Sequence, residues 1–580
     1  MNTLESELLA AAREDRLLDY IDEQWRAERD DRDPLSEELA RLHNEGKIDV
    51  VAAFRELRND KRSPDFFATE MTFEKILPRI EAPISDVMEC VLHLFREAGQ
   101  DLAIGSIIGS YTDFCAAEPS RPREAVGLIE ASEGKLAGLL TPSLVAGSRL
   151  DAEYYLNEAI RLSAHPDMGI REKAILSLGR IEYPQNSNLP EKALMTLEHA
   201  IGEEDDDPLI ANIIWSAFDL YKKRESLETR VTGLIDTALS KGADLTLYAA
   251  SRILWFENKK IPEPLLDRLL SNLRRVNPSK KGVLQNIGYG LRKLLAGKDS
   301  EKAIRFIEDL LIANPESLSL DEFDGVTGEL LRDKEGLLNR VMTRWFLRGE
   351  RVLCEAIHHI VSHRGLSNDL ALAVHSNELH STDAKHILFL ARKVIGYLFF
   401  RPVTAAGIVL SLVQHAEDDE TKKALLELLF DPLLINYPGK VGDYLKEHAD
   451  SGNESVKAAC KKAMAGFEQY GKELESANDI PELHPYQSQR EAYGRHHFRQ
   501  MSEVTRQGKE KSMLGDLFSE SVLLYGRGSI VYVYAGDKTN RKEIPFQRHR
   551  FSTEIPRLSV LAPFDLDYTL RAFQAEEMTA

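Results

Sequence analysis

Cysteine is scarce in this 580-residue chain: Cys90, Cys115, Cys354 and Cys460 stand far apart, and no two form a C-x-x-C pair. That spacing gives neither a zinc site nor a disulfide framework, and it fits a reducing compartment. No run of about 18 apolar residues occurs, so neither a membrane-crossing helix nor a membrane partner is expected. Positive charge is in deficit, with 74 Lys and Arg against 94 Asp and Glu, a formal −20. This excludes nucleic-acid binding through overall charge, because neutralising phosphate needs a basic surface. Glu5 and Glu7 stand where a secretory leader would carry Lys or Arg, and a cytoplasmic location is expected.

Catalytic signatures are missing as well. There is no G-x-S-x-G and no kinase motif set. Gly526-Arg527-Gly528-Ser529 lacks the strand–loop–helix context and trailing Gly-Lys-Ser/Thr of a phosphate loop, and reads as a turn. His358, His359 and His363 share one expected helix, with His359 and His363 four apart on one face. Two imidazoles at that spacing can share a metal, but a third ligand and the Glu of an H-E-x-x-H are absent. No metal and no cofactor are therefore assigned. The acidic run Glu203-Glu204-Asp205-Asp206-Asp207 reads as a solvated loop ahead of a helix, where acids favour the helix dipole.

What the chain does contain is helical periodicity. Its hydrophobic content of 43% is ordinary for a folded protein. Residues 1–63 read as a helical N-terminal segment with breaks at Asp31-Arg32-Asp33-Pro34 and Asn59–Pro64. Residues 64–139 read as irregular helical pairs leading onward. From about 140 the pattern becomes regular. Opening helices are expected near Ile170, Leu209, Leu245, Lys281, Leu318 and Gly349, at intervals of roughly 31–39 residues. Each of the first five is followed by a partner helix, beginning near Leu189, Leu227, Ile261, Ser300 and Lys334. A lone pair cannot bury both apolar faces, so stacking of neighbours must complete the core.

The segment 165–179, His-Pro-Asp-x-x-Ile-Arg-x-x-Ala-x-x-x-Leu-Gly, resembles a HEAT repeat, and Asn453-Glu454-Ser455-Val456-Lys457-Ala458-Ala459 is a weaker echo with Lys in place of Arg. The Trp/Gly/Tyr pattern of tetratricopeptide repeats is absent. The resemblance implies a mainly α fold, a right-handed α-solenoid of HEAT-like helix pairs over 140–477. It also implies that Asp167, Ile170, Arg171, Ala174, Leu178 and Gly179 stabilise turns and contacts between repeats. Trp215 and Trp255 fall about one repeat apart, one helical turn out of register, and belong either to the core or to a groove where they would anchor a partner.

After Ala477 the composition changes. Residues 478–485 read as a linker, and a small basic α+β module is expected to follow. Strands are expected at 521–525 and 529–534 around a Gly526-Arg527-Gly528 hairpin turn, with more at 543–547 and 557–561, and a helix at 565–573. Between His484 and Arg550 twelve basic residues face seven acids, a net of about +5. They include Arg495, Arg499, Arg506, Arg527, Arg541, Lys542, Arg548 and Arg550, interleaved with Tyr493, Phe498, Tyr525, Tyr532 and Tyr534. Two function classes follow. The first is a non-enzymatic scaffold or adaptor that binds protein partners along the solenoid, as a subunit of a multi-protein bacterial complex. The second is a nucleic-acid-binding component using the basic segment 484–550. An enzyme site assembled from residues distant in sequence is a third class, without a local motif to support it.

Overall fold

The computed structural model describes residues 3–27, 33–60, 64–99, 105–203, 205–332, 336–363, 369–379, 383–451, 453–510, 528–535, 538–545 and 554–578. These are overwhelmingly helical and form two compact units, residues 1–299 with 322–324, and residues 300–321 with 325–580.

The first unit opens with helices at Thr3–Arg13, Leu17–Ala27, Asp33–Asn44, Val50–Phe54, Phe66–Ile76, Ile84–Ala98, Ser106–Ala116 and Arg121–Ala131. One carboxyl here is out of place by polarity. Glu70 on the Phe66–Ile76 helix is 1% exposed, and burial, reinforced by Glu74 one turn away, pushes its pKa up to about 9.

A regular run follows: α1 (Leu140–Ser148), α2 (Ala152–Leu162), α3 (Met168–Arg180), α4 (Leu189–Glu203), α5 (Asp207–Lys223), α6 (Glu228–Lys241), α7 (Asp244–Phe256), α8 (Glu263–Leu273) and α9 (Lys281–Leu295). Odd-numbered helices pack on one another in sequence order, α1 on α3, α3 on α5, α5 on α7 and α7 on α9. The even-numbered helices α2, α4, α6 and α8 make a second layer behind them. This is a helical-repeat arrangement. It arises because each helix has apolar residues on two sides, as α5 shows with Leu209, Ile210, Ile213, Ile214, Ala217, Phe218 and Leu220 all buried.

Asp167 caps α3, its carboxylate accepting the Ile170 amide at 2.9 Å. Ile170, Ala174 and Leu178 are fully buried. Gly179 is where two helices meet backbone to backbone: a Cβ there would lie 2.5 Å from Ser216 Cα and 2.6 Å from Ser216 O. Arg171 is half-buried, and its guanidinium reaches Met168 Sδ at 3.1 Å.

Each joint of the odd layer also carries a polar pin. Ser177 Oγ donates to Thr141 Oγ1 (3.1 Å) between α3 and α1, and Ser216 Oγ to the Ile175 carbonyl (2.7 Å) between α5 and α3. Thr246 Oγ1 donates to Asp207 (2.6 Å) between α7 and α5, and Asn286 Nδ2 to Ser251 Oγ (3.1 Å) between α9 and α7. Asp207 further accepts the amides of Ala243, Leu245 and Thr246. Burial opposes its charge, but these bonds outweigh it and hold the carboxyl below its ordinary pKa. Outside the layer, partly exposed ion pairs such as Arg149 with Asp113 and Glu182, and Lys222 with Glu257, link neighbouring repeats. Each is worth little by itself.

The second unit contains α10 (Ser300–Ala313), α11 (Leu337–Arg348), α12 (Arg351–Val361), α13 (Ala384–Leu398), α14 (Pro402–His415), α15 (Lys440–Ser451), α16 (Glu454–Asn478), α17 (Gln487–Glu510) and α18 (Pro563–Ala575). The opening helix expected near Leu318 does not form. A 3₁₀ turn at Leu320–Glu322 and a six-residue helix at Val326–Leu331 stand there instead. Gly325, left-handed at φ 79°, breaks what would have been one continuous helix.

Further on, three guanidiniums spaced one turn apart on α11 meet three carboxylates. Arg340 and Arg344 both bind Glu301 and Glu378, while Glu308 accepts from Arg348 (3.0 Å) and from the Trp345 indole N–H (2.8 Å). Trp345, Glu308 and Glu378 are all buried. Burial works against the Glu378 charge, yet Arg344 and Arg340 pull its carboxyl down to about 2.

Strands Gly528–Ala535 and Lys538–Pro545 pair antiparallel, from Gly528 opposite Pro545 to Ala535 opposite Lys538. Residues 536–537, which link these two strands, lie outside the described residues, as do the strand expected at 521–525 and Gly526 and Arg527 of its expected turn. The strand expected at 557–561 is corrected to a helix, Leu558–Leu561, which packs against α18. Short apolar runs fit either structure by periodicity, and this contact decides.

Candidate interaction surface

The outward stripe of α7 is unusual for a solvated helix. Leu247, Ala250, Ile253 and Leu254 face the core, which turns Leu245, Tyr248, Arg252 and Phe256 outward at three- and four-residue spacing. Leu245 is 48% exposed, Tyr248 38% and Phe256 52%. Neighbouring repeats add rings on both sides. Trp255 stacks on Tyr289 of α9, centroids 4.6 Å apart at 23°, and also lies 4.0 Å from Phe256. The Arg252 guanidinium lies 4.8 Å from the Phe256 ring, 5.9 Å from Tyr248 and 6.0 Å from Trp215 of α5. Trp215 and Trp255 are both half-buried. They are thus neither wholly core nor fully exposed.

Among the described residues Arg252 is held by rings rather than by a carboxylate, with a long side-chain hydrogen bond to the Tyr248 hydroxyl (3.5 Å). Lys222, at the edge of the cluster, is committed to Asp219 and Glu257, and Lys293 donates to the Trp255 carbonyl. Beyond Phe256 a groove of about 710 Å3 opens, lined by Lys259, Lys260, Lys293 and Lys298 with Leu266, and by Glu257, Glu263 and Asp299. The surface can bury aromatic and aliphatic area and present charge of both signs at its rim. Arg252, Tyr248 and Phe256 were missed in the sequence because an outward aromatic looks the same as an inward one until the core face is known.

Other candidates disperse. His359 pairs with Asp321 at 2.5 Å, while His358 Nδ1 meets the Tyr397 carbonyl at 2.7 Å, so the two turn to different partners. Among the described residues no three His, Cys, Asp or Glu side chains converge as metal ligands. All four cysteines are buried, which pushes the Cys90, Cys115 and Cys354 thiols up to about 12 and Cys460 to about 11, far from nucleophilic thiolates.

The basic C-terminal residues are spread out. Arg495, Arg499 and Arg506 lie on the solvated α17, where Arg495 stands 3.7 Å from Glu491 and Arg506 2.5 Å from Glu503. Arg541 and Lys542 stand in the second strand, opposite Tyr532 and Val531. Arg527, Arg548 and Arg550 lie outside the described residues.

No helix among the described residues is long and apolar enough to cross a membrane. Comparison with protein-family models and with curated proteins finds no match to the chain.

Proposed function

We propose that this chain is a non-enzymatic, cytoplasmic scaffold whose helix pairs over 140–477 form a HEAT-like α-solenoid, with 478–580 as an accessory α+β module. It holds a protein partner against the outer face of α5, α7 and α9. One observation carries this reading: Trp215, Tyr248, Arg252, Trp255, Phe256 and Tyr289 form a continuous aromatic and guanidinium cluster across three consecutive repeats, exposed at Tyr248 and Phe256 and half-buried elsewhere. Aromatic and arginine side chains at the centre of a patch are the anchors that dominate protein interfaces, while a surrounding polar rim sets orientation. Lys259, Lys260 and Lys298, with Glu257, Glu263 and Asp299, supply such a rim, carrying charge of both signs.

The test is affinity capture with the intact protein, compared with Arg252→Glu/Phe256→Ser and with a chain lacking 478–580. A partner retained by the shortened chain and lost by the double variant is expected. Capture indifferent to the double variant overturns the assignment of this face. Retention that depends on 478–580 and falls steeply with salt points instead to nucleic acid on the basic segment.

A further inference from the structure

The last part of the chain returns to the second unit and is recognised there almost entirely through its backbone and its acids. Glu554 accepts the amides of Gly439 (2.7 Å) and Lys440 (2.8 Å) at the start of α15, where the helix dipole favours an anion. Asn436, fully buried, accepts the Leu558 amide through Oδ1 at 2.8 Å and the Arg557 amide through its own carbonyl at 3.2 Å. Farther along, Lys393, 1% exposed, donates to the Gln574 carbonyl at 2.6 Å. Gln574 donates back to the Gly396 carbonyl at 2.7 Å, and Arg392 grips Glu576 with two bonds of 2.5 and 2.6 Å. The approach is close at Gly396, where a Cβ would lie a tight 3.1 Å from both Gln574 N and Phe573 Cβ.

Apolar contact, by contrast, is thin. Leu566 is the one buried side chain of α18 among the described residues. Leu561, Phe564 and Tyr568, spaced three and four apart, are 66%, 85% and 76% exposed. A segment that only completed a core would turn these side chains inward. Recognition through backbone amides and carbonyls and through paired acids is how proteins bind a peptide.

We propose that the face of α13, together with Asn436 and the start of α15, is an exchangeable docking site for residues 554–578, filled in cis by the chain's own segment and in trans by that of a second copy. The contacts are identical in both cases, so exchange adds no new contacts and closes as a reciprocal, two-fold dimer. Tethering gives the cis segment an effective concentration on the order of 1 mM. Dilute protein therefore stays closed on itself, and exchange sets in when copies are gathered on a common assembly.

A protease site placed after Glu510 lets the full, folded chain be cut with the segment in place. The released fragment is expected to co-elute with the body at micromolar concentration. A synthetic peptide of residues 554–578 should displace it. Arg392→Glu should weaken retention about tenfold, and adding Glu576→Arg should restore it; Glu576→Arg alone guards against a folding defect, since it lies on the segment rather than in the body. Uncut protein concentrated towards 1 mM should form a dimer that the same peptide dissolves. A fragment that elutes free at micromolar concentration overturns the proposal. So does one that stays bound yet never exchanges with excess peptide, which marks a permanent structural cap.

Discussion

Replacing Glu378 by Gln tests whether the three-by-three ion network holds α10, α11 and the 369–379 segment together. The carboxylate accepts from Arg340 Nε and from Arg344 Nε and Nη2, each at 2.9 Å, with its own side chain only 9% exposed. Its pKa is lowered from 4.5 to about 2. At about 1.4 kcal/mol per pH unit, that gap corresponds to roughly 3 kcal/mol at neutral pH. Arg340 is 29% exposed, and solvent screening on that side reduces the expected figure to about 2 kcal/mol. Because the folded pKa is depressed, the stabilisation is complete above pH 4.5 and disappears as pH falls towards 2. Glu378→Gln should therefore lower the melting temperature of the second unit by several degrees at pH 7, with the gap from wild type closing between pH 4.5 and 2. Calorimetry across that range measures both. A deficit below about 0.5 kcal/mol at pH 7, or one of constant size down to pH 2, would refute the charged network as its cause.

Three further substitutions probe the first unit. Gly179→Ala should cost about 1–3 kcal/mol, because its methyl meets the Ser216 backbone, whereas Gly233→Ala in α6 meets nothing within 4 Å and should gain about 0.5–1 kcal/mol; urea unfolding of both variants checks the contrast. Glu70→Gln removes a carboxyl whose folded pKa is raised from 4.5 to about 9. The native chain is thus favoured below pH 4.5 and loses that advantage as pH rises through 9, so the variant should melt higher than wild type at pH 9. Equal melting temperatures there would show that Glu70 is not held neutral.

Much of the repeat phase was legible because Asp167, Ile170, Ala174, Leu178 and Gly179 combine a cap, a core stripe and a close approach in one helix. Leu318 misled for a local reason: its apolar spacing is helical, but Gly325 takes a left-handed conformation that no periodicity reveals. Ser177, Ser216, Ser251 and Asn286 recur at repeat intervals yet carry no hydropathy signal, since a buried hydroxyl and a solvated one are the same letter. Trp215 and Trp255 could be picked out by spacing, but Arg252 gained meaning only when three rings were seen around it. Lys393 and Arg392 find their partners about 180 residues away, at Gln574 and Glu576, a separation beyond any local pattern.

The polar pins between successive odd-numbered helices have a mechanical consequence. Apolar ridges allow two helices to slide past one another at small cost, because one methyl contact replaces another. A polar bond across the joint, from Ser177 to Thr141, from Ser216 to the Ile175 carbonyl or from the Asn286 amide to the Ser251 hydroxyl, permits no such substitution, since displacement breaks it where water cannot replace it. The array therefore behaves as a chain of indexed joints rather than as a lubricated stack. Under tension, each repeat should keep its register until a joint gives way at once, so that extension proceeds in steps of whole helix pairs.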